Sequence, residues 1–273
     1  MSECTHDCST CASSSDCKDK GIQKEKLNAL SKVKKVFAVV SGKGGVGKSL
    51  TAAMLAVEAN RMGLKTAVLD ADILGPSIPK MFGINLERAE ATDVGIYPVK
   101  TKMGISVMSV NLLLENESDP VVWRGPVLAG VVKQFWTDVV WGDIDVMFVD
   151  CPPGTGDVPL TVFQSIPVDG IVVVSSPQDL VSMIVEKAVK MAELMKVPVV
   201  GAVENMAYFK CDKCGEKHYI FGKGNTKEIS AAKGISYFAE IPFSKDLANQ
   251  CDRGLIELNE CDALNELVKK IVD

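Results

Sequence analysis

One nine-residue stretch, Ser41-Gly-Lys-Gly-Gly-Val-Gly-Lys-Ser49, limits what this chain can fold into more than any other part of it. An apolar run, Val36 to Val40, precedes it, and a helical pattern from Lys48 to Met62 follows. The glycines let successive backbone N–H groups converge on one point, and the helix N-terminus adds its positive end, which suits a phosphate. From Gly42 to Ser49 the spacing is G-x-x-x-x-G-K-[ST]. It predicts that Gly42, Lys43, Gly44, Gly45, Val46, Gly47, Lys48 and Ser49 cradle ATP, with Lys48 on the β/γ-phosphates and the Ser49 hydroxyl on Mg2+. A plain phosphate loop does not require Lys43. Two lysines this close repel unless both face anionic oxygens, so Lys43 reads as a second phosphate-directed charge; the plainer alternative is a solvated loop lysine.

Beyond the loop, short apolar runs alternate with helical patterns. Thr66–Leu69, Ile105–Val110, Val146–Val149, Ile171–Val174, Val199–Val203 and Tyr237–Ile241 read as strands, with helices over Pro126–Val140 and Leu180–Met195. Strands apolar on both faces, separated by helices, predict an α/β fold: a P-loop NTPase with a mostly parallel sheet and helices on both faces. The expected domain spans 33–273, with a CxxC insert near 205–224, after a Cys-rich N-terminal segment, 1–32. Residues 1–20 hold almost no aliphatic side chains and are expected to be disordered without a ligand; a helical pattern from Ile22 to Lys32 leads into the domain. Carboxylates stand where a sheet binds ligands, at the carboxyl ends of strands. Asp150 suits the Mg2+ shell, Asp157 lies in a Gly/Pro loop suited to sensing a γ-phosphate, and Asp70 and Asp72 close a neighbouring strand.

Nine cysteines are many for a chain of 273 residues. Net charge is −5, which offers no field for nucleic acid or an anionic membrane. No apolar run approaches the roughly 18–20 residues that span a bilayer, and the polar N-terminus lacks a signal-peptide core. The expectation is a cytoplasmic protein, where clustered cysteines mean metal or redox chemistry more often than disulfides. Cys211 and Cys214 supply two thiolates, half of what a [4Fe–4S] cluster needs, and a two-fold dimer would supply the rest. Zn2+ is the rival, with His218 four residues past Cys214. Cys4, Cys8, Cys11 and Cys17, spaced C-x3-C-x2-C-x5-C, could wrap a second [4Fe–4S] cluster, bind zinc, or form a tail without metal. Cys151, Cys251 and Cys261 read as packing residues. The last helix carries Leu264, Leu267, Val268 and Ile271 on one face and is expected to dock on the core rather than on lipid.

Taken together these segments resemble the Mrp/ApbC family of iron–sulfur carrier ATPases, within the deviant-Walker class that includes MinD and the nitrogenase iron protein. The phosphate loop, Asp70-Ala-Asp-Ile-Leu-Gly-Pro-Ser-Ile-Pro79, Trp123-Arg-Gly-Pro126, Asp150-Cys-Pro-Pro-Gly-Thr-Gly-Asp157, Val203-Glu-Asn-Met206 and Cys211-Asp-Lys-Cys214-Gly carry the likeness. Cys151 departs from it, standing where a Thr or Leu is usual, and so does Arg253-Gly-Leu-Ile-Glu257. The resemblance implies that Lys43 reaches the nucleotide of a partner subunit in a homodimer, that Asp72 positions the attacking water, that Asp157 couples hydrolysis to a switch, and that Asn205 hydrogen-bonds adenine. The last two spacings of the N-terminal cysteines, C-x2-C-x5-C, resemble the scaffold branch of the family, and the first is shorter than in that branch. The implied activity is slow ATP hydrolysis coupled to transfer of a cluster to apoproteins, without nucleic acid or membrane partners. A MinD-like positioning switch and a zinc- or redox-regulated ATPase are the other readings.

Overall fold

Alternate residues of β1 (Lys32–Ser41) face opposite sides of the sheet. Val36, Ala38 and Val40 enter one core, and Phe37 and Val39 enter the other. That is why the run is apolar on both faces. The computed structural model describes residues 24–114, 125–154, 156–177 and 181–272. After β1 come α1 (Lys48–Arg61), β2 (Thr66–Asp70), α2 (Ile78–Met81), β3 (Glu90–Thr92), β4 (Gly95–Tyr97), β5 (Val99–Lys100) and β6 (Ser106–Met108). The second half holds α3 (Gly125–Thr137), β7 (Asp143–Asp150), α4 (Asp157–Ser165), β8 (Gly170–Ser175), α5 (Val181–Met195) and β9 (Val199–Glu204). It ends with β10 (Phe209–Lys210), β11 (Lys217–His218), α6 (Thr226–Ala232), β12 (Phe238–Glu240), α7 (Lys245–Asp252) and α8 (Asp262–Val272).

The main sheet has the order β12-β9-β8-β1-β7-β2-β6-β5. Its neighbours pair in parallel except β5 with β6. On one face lie α3, α4 and α5, through Val132, Phe135, Phe163, Ala188 and Ala192. On the other lie α1 and α8, through Ala52, Leu55, Ala56, Leu264 and Leu267. Parallel pairing brings the carboxyl ends of β1, β7 and β2 side by side, with Val39 opposite Asp150 and Asp150 opposite Asp70. A ligand crevice forms at that edge.

The segment leading into β1 is not the helix its pattern predicts: between residue 24 and β1 the chain forms only a turn at Ala29 and Leu30. Its polar groups are taken by distant partners. Glu25 N–H donates to the Ser165 carbonyl at 2.8 Å, and Trp136 Nε1 donates to the Glu25 carbonyl at 3.0 Å. Lys133 pairs with the Glu25 carboxylate at 2.7 Å, and Leu30 N–H donates to Asn28 Oδ1 at 2.9 Å. These bonds replace the i→i−4 ladder. The expected strand 105–110 shortens to β6, followed by a 3-10 turn at Val110–Leu112.

The last helix docks on the core as its pattern predicts. Leu264, Leu267, Val268 and Ile271 are buried, and Lys35 Nζ donates to the Val272 carbonyl at 2.7 Å, satisfying the helix end. Among the described residues no helix is long and apolar enough to cross a membrane. A Cβ on Gly201 would lie 2.8 Å from Leu267 Cδ1, so strand and helix meet without a spare methyl between them. Leu267→Ala is expected to lower the unfolding free energy by about 2–5 kcal/mol. In urea melts, Gly201→Ala should destabilise the wild type, and should do so less in the Leu267→Ala background, where its methyl finds room.

Candidate functional site

The phosphate loop joins β1 to α1, and its glycines answer to geometry. Gly47 has φ +84°, and a Cβ there would collide with Asn205 Nδ2. Only glycine accepts both conditions. The Asn205 side-chain amide donates to the Val46 carbonyl at 2.9 Å, so the side chain that the resemblance assigns to adenine is turned here onto the loop itself. Thr51 donates to the Gly47 carbonyl through both its N–H and its hydroxyl, each at 2.9 Å. The Ser41 hydroxyl donates to the Lys43 carbonyl at 3.0 Å, and Gly154 N–H donates to the Ser41 carbonyl at 2.9 Å, tying the loop after β7 to the phosphate loop.

Lys48 is 6% exposed and reaches into a group of carboxylates. Its Nζ lies 2.5 Å from Asp150 Oδ1, 3.7 Å from Asp72 Oδ2 and 3.4 Å from the Ser49 hydroxyl. Burial works to lower the pKa of this ammonium, but Asp150, backed by Asp72 and Asp70, outweighs it and holds it above the ordinary value. Asp70 is fully buried and accepts from the Ser109 hydroxyl at 3.0 Å. Burial, reinforced by the charge of Asp150, pushes Asp70 well above the usual carboxylate range. One lysine does not neutralise two buried carboxylates and a third, Asp72, at the edge of the cleft.

These residues fit a magnesium ion. Asp150 Oδ2 is buried without a hydrogen-bond partner among the described residues, and the Ser49 hydroxyl bonds the same carboxylate. A carboxylate and a hydroxyl are hard oxygen donors of the kind Mg2+ takes, with water and phosphate completing its shell. A cleft of about 540 Å3 opens above them, lined by Lys43, Gly44, Gly45, Lys48, Ser49 and Asp72. Ser77, Lys80, Pro153, Cys251 and Asp252 also line it. Sequence reasoning gave Lys80 and the hydroxyl of Ser77 no role, because neither has a motif spacing of its own. Asp157 opens α4. The N-terminal Cys4, Cys8, Cys11 and Cys17, and Trp123, lie outside the described residues.

The second candidate site is a hairpin of β10 and β11, paired Phe209 to His218 and Lys210 to Lys217. Its turn carries Cys211 and Cys214. Cys211 N–H donates to the Glu216 carbonyl at 2.9 Å, Gly215 N–H donates to the Cys211 carbonyl at 2.8 Å, and Gly215 takes φ +74°. The backbone N–H groups of Cys214 and then Lys213 bond the Cys211 thiol, lowering its pKa and favouring thiolate. Cys214 is exposed. Cys151, by contrast, is fully buried behind Asp150, and burial pushes its thiol up to about 12, in line with a packing role. The hairpin stands on aromatic and basic side chains: Lys217 Nζ lies 3.9 Å from the centre of the Tyr208 ring, whose neighbour Tyr219 is 6.0 Å away. Among the described residues no three His, Cys, Asp or Glu side chains gather as a ligand set.

Comparison with known proteins finds one family across most of the chain. The family model of the NUBPL iron-transfer P-loop NTPases matches residues 32–273. The iron-sulfur cluster carrier protein of Methanocaldococcus jannaschii is 41% identical, over 100% of this chain and 98% of the relative. A nucleotide-binding protein of Archaeoglobus fulgidus, solved in complex with ADP, is 45% identical with a TM-score of 0.77, covering 84% of this chain and 90% of its own. MinD of Pyrococcus furiosus superposes with a TM-score of 0.59 at 18% identity, over 87% of this chain and 98% of its own, a likeness of fold. The fold is that of a P-loop NTPase.

Two outcomes follow from the buried charges. Lys48→Ala is expected to cut ATP hydrolysis at least about a hundredfold in a phosphate-release assay. Asp70, its pKa raised on folding, keeps a proton that the unfolded chain has released. Its contribution therefore makes stability fall as pH climbs from about 4 through the raised folded value. In nucleotide-free urea melts, Asp70→Asn should flatten that decline.

Proposed function

The chain belongs to the iron-transfer family of P-loop NTPases, and on that premise we propose that it is an ATP-dependent carrier holding an iron–sulfur cluster between two copies of itself. The observation that carries this reading is one chain bearing both an intact phosphate loop and a two-thiol hairpin whose Cys211 is held toward thiolate by backbone N–H groups. A [4Fe–4S] cargo needs four cysteinates. Cys211 and Cys214 supply two, and a two-fold axis through the hairpin would bring the same pair from the second subunit. A cluster bound at an exposed turn is open to an apoprotein acceptor, which a carrier requires. Zn2+ could occupy the same four thiolates, and metal content decides between them.

At the other end, Lys48 would exchange Asp150 for the β- and γ-phosphates of ATP, and Lys43 would bring a second positive charge, reaching the partner's nucleotide in a homodimer. Ser49 and Asp150 would hold Mg2+. Magnesium, when bound, supplies neutralisation of the charge that develops on the transferring phosphoryl group. Asp72, 3.7 Å from Lys48, would orient the attacking water, and Asp157, at the head of α4, would respond to the γ-phosphate. Hydrolysis then serves as a slow switch on the dimer. Free thiols at Cys151, Cys211, Cys214, Cys251 and Cys261 suit the reducing cytoplasm. Cys4, Cys8, Cys11 and Cys17 would bind a second cluster. A MinD-like positioning role leaves the cysteine hairpin without a use.

Protein purified without oxygen and reconstituted with iron and sulfide is expected to show cluster absorbance and to migrate as a dimer. Cys211→Ala/Cys214→Ala should lose the shared cluster and its transfer to an apo-ferredoxin while retaining ATP hydrolysis. Iron content and transfer equal to wild type in that variant would remove the cargo assignment.

A further inference from the structure

Two consecutive residues, Glu204 at the carboxyl end of β9 and Asn205 in the turn that follows it, each crowd a glycine, and the two glycines belong to the two different sites. Their side chains meet different partners, Asn205 the phosphate loop and Glu204 the segment leading into α6. Asn205 occupies the space a Cβ on Gly47 would need, and donates to the Val46 carbonyl. That carbonyl and the Gly47 N–H belong to one planar peptide unit. A phosphate that draws the Gly47 N–H toward itself therefore turns the carbonyl that Asn205 holds.

Glu204 meets the other segment. The residue is 2% exposed, and its carboxylate accepts from the Thr226 hydroxyl, which also lies 3.4 Å from the Ser175 hydroxyl. A Cβ on Gly224 would collide with Glu204 Oε1. Gly224 and Thr226 lie where the cysteine insert returns to the sheet and α6 begins. The main chain of the pair is fixed: Asn205 N–H donates to the Ser175 carbonyl and Ile241 N–H to the Glu204 carbonyl, both at 2.9 Å. Met206 follows at φ +56°, a left-handed conformation rare outside glycine, and directs the chain out of the strand into the insert.

We propose that Glu204 and Asn205 form a bracket that transmits the occupancy of the phosphate loop to the Cys211–Cys214 hairpin, Glu204 acting as a positioning residue through Gly224 and Thr226. The proposal deepens the carrier reading and rests on it. It places the link between nucleotide and cargo in β9, on the opposite side of β1 from β7 and its Asp150–Asp157 loop. Torque applied at Asn205 reaches the strand end, and Glu204 passes it to the returning arm of the insert. The two side chains fill the space beside both glycines.

The test uses the full chain, reduced and free of cluster, so that it reads the link and not the cargo. Alkylation of Cys211 and Cys214 by N-ethylmaleimide is followed peptide by peptide in mass spectrometry, with and without a non-hydrolysable ATP analogue and Mg2+. In wild type the analogue is expected to change the Cys211 rate by about fivefold or more, the scale of an ordinary coupling between sites. Gly224→Ala, and independently Thr226→Val, should bring the ratio to within about twofold of unity while ATP hydrolysis stays within about threefold of wild type. Thr226→Ser, which keeps the hydroxyl, should retain the wild-type ratio. The same ratio in Thr226→Val as in wild type, or no nucleotide effect in wild type, overturns the bracket. Failure of the carrier reading shows separately, as absence of cluster from reconstituted wild type.

Discussion

The buried pair of Lys48 and Asp150 is the contact on which the rest of this molecule turns. It joins the first residue of α1 to the last residue of β7, and so closes the phosphate loop onto the sheet. Parallel pairing sets Asp150 beside Asp70, and Asp72 stands close by. Like charges opposed on neighbouring strands repel, and burial sharpens the repulsion. A single ammonium offsets only part of it, and burial first, then the charge of Asp150, hold Asp70 well above the usual carboxylate range. The carboxylate group is thus under electrostatic tension that phosphates and a divalent cation would relieve together, the first by engaging the lysine and the second by engaging Asp150. Removing either partner of the pair leaves a charge in a dry interior, which costs far more than the pair itself contributes.

Around that contact the sheet sorts its labour by position. The central strands are buried on both faces and supply rigidity, while their carboxyl ends supply the polar groups. At the margin, β9 and β12 pair through only three residues, Phe238 to Ala202, Ala239 to Val203 and Glu240 to Glu204. A strand held this briefly on its outer side is suited to small adjustments. The cysteine hairpin is rooted there, through Ala207 N–H on the Ile241 carbonyl and Phe243 N–H on the Tyr208 carbonyl.

Much of this was legible in the sequence. Apolar runs such as Val36–Val40 read as strands buried on both faces because periodicity reports burial directly. Asp72 and Asp150 read as site residues because strand ends carry ligands, and the structure brings both to Lys48. The segment before β1 misled because its pattern is helical while its hydrogen-bond partners, Ser165 and Trp136, lie more than a hundred residues away. Glu204 stood inside a family segment, Val203–Met206, without a role of its own, since its carboxylate crowds Gly224 and crowding leaves no spacing to read. The lowered thiol of Cys211 depends on the direction of two backbone N–H groups, which a CxxC motif permits but does not fix.

The contrast between Cys151 and Cys211 has a consequence for how the chain meets iron and sulfide. The first is sealed and stays protonated, and the second is half-buried beside the exposed Cys214 and biased toward the anion. A soft metal or an oxidant arriving from solution therefore encounters its preferred partner at the hairpin tip and a closed wall behind Asp150. Loading at the hairpin would then be filtered by kinetics before affinity is consulted. A buried thiol such as Cys151 would then stand apart from a corrosive cargo carried at the surface.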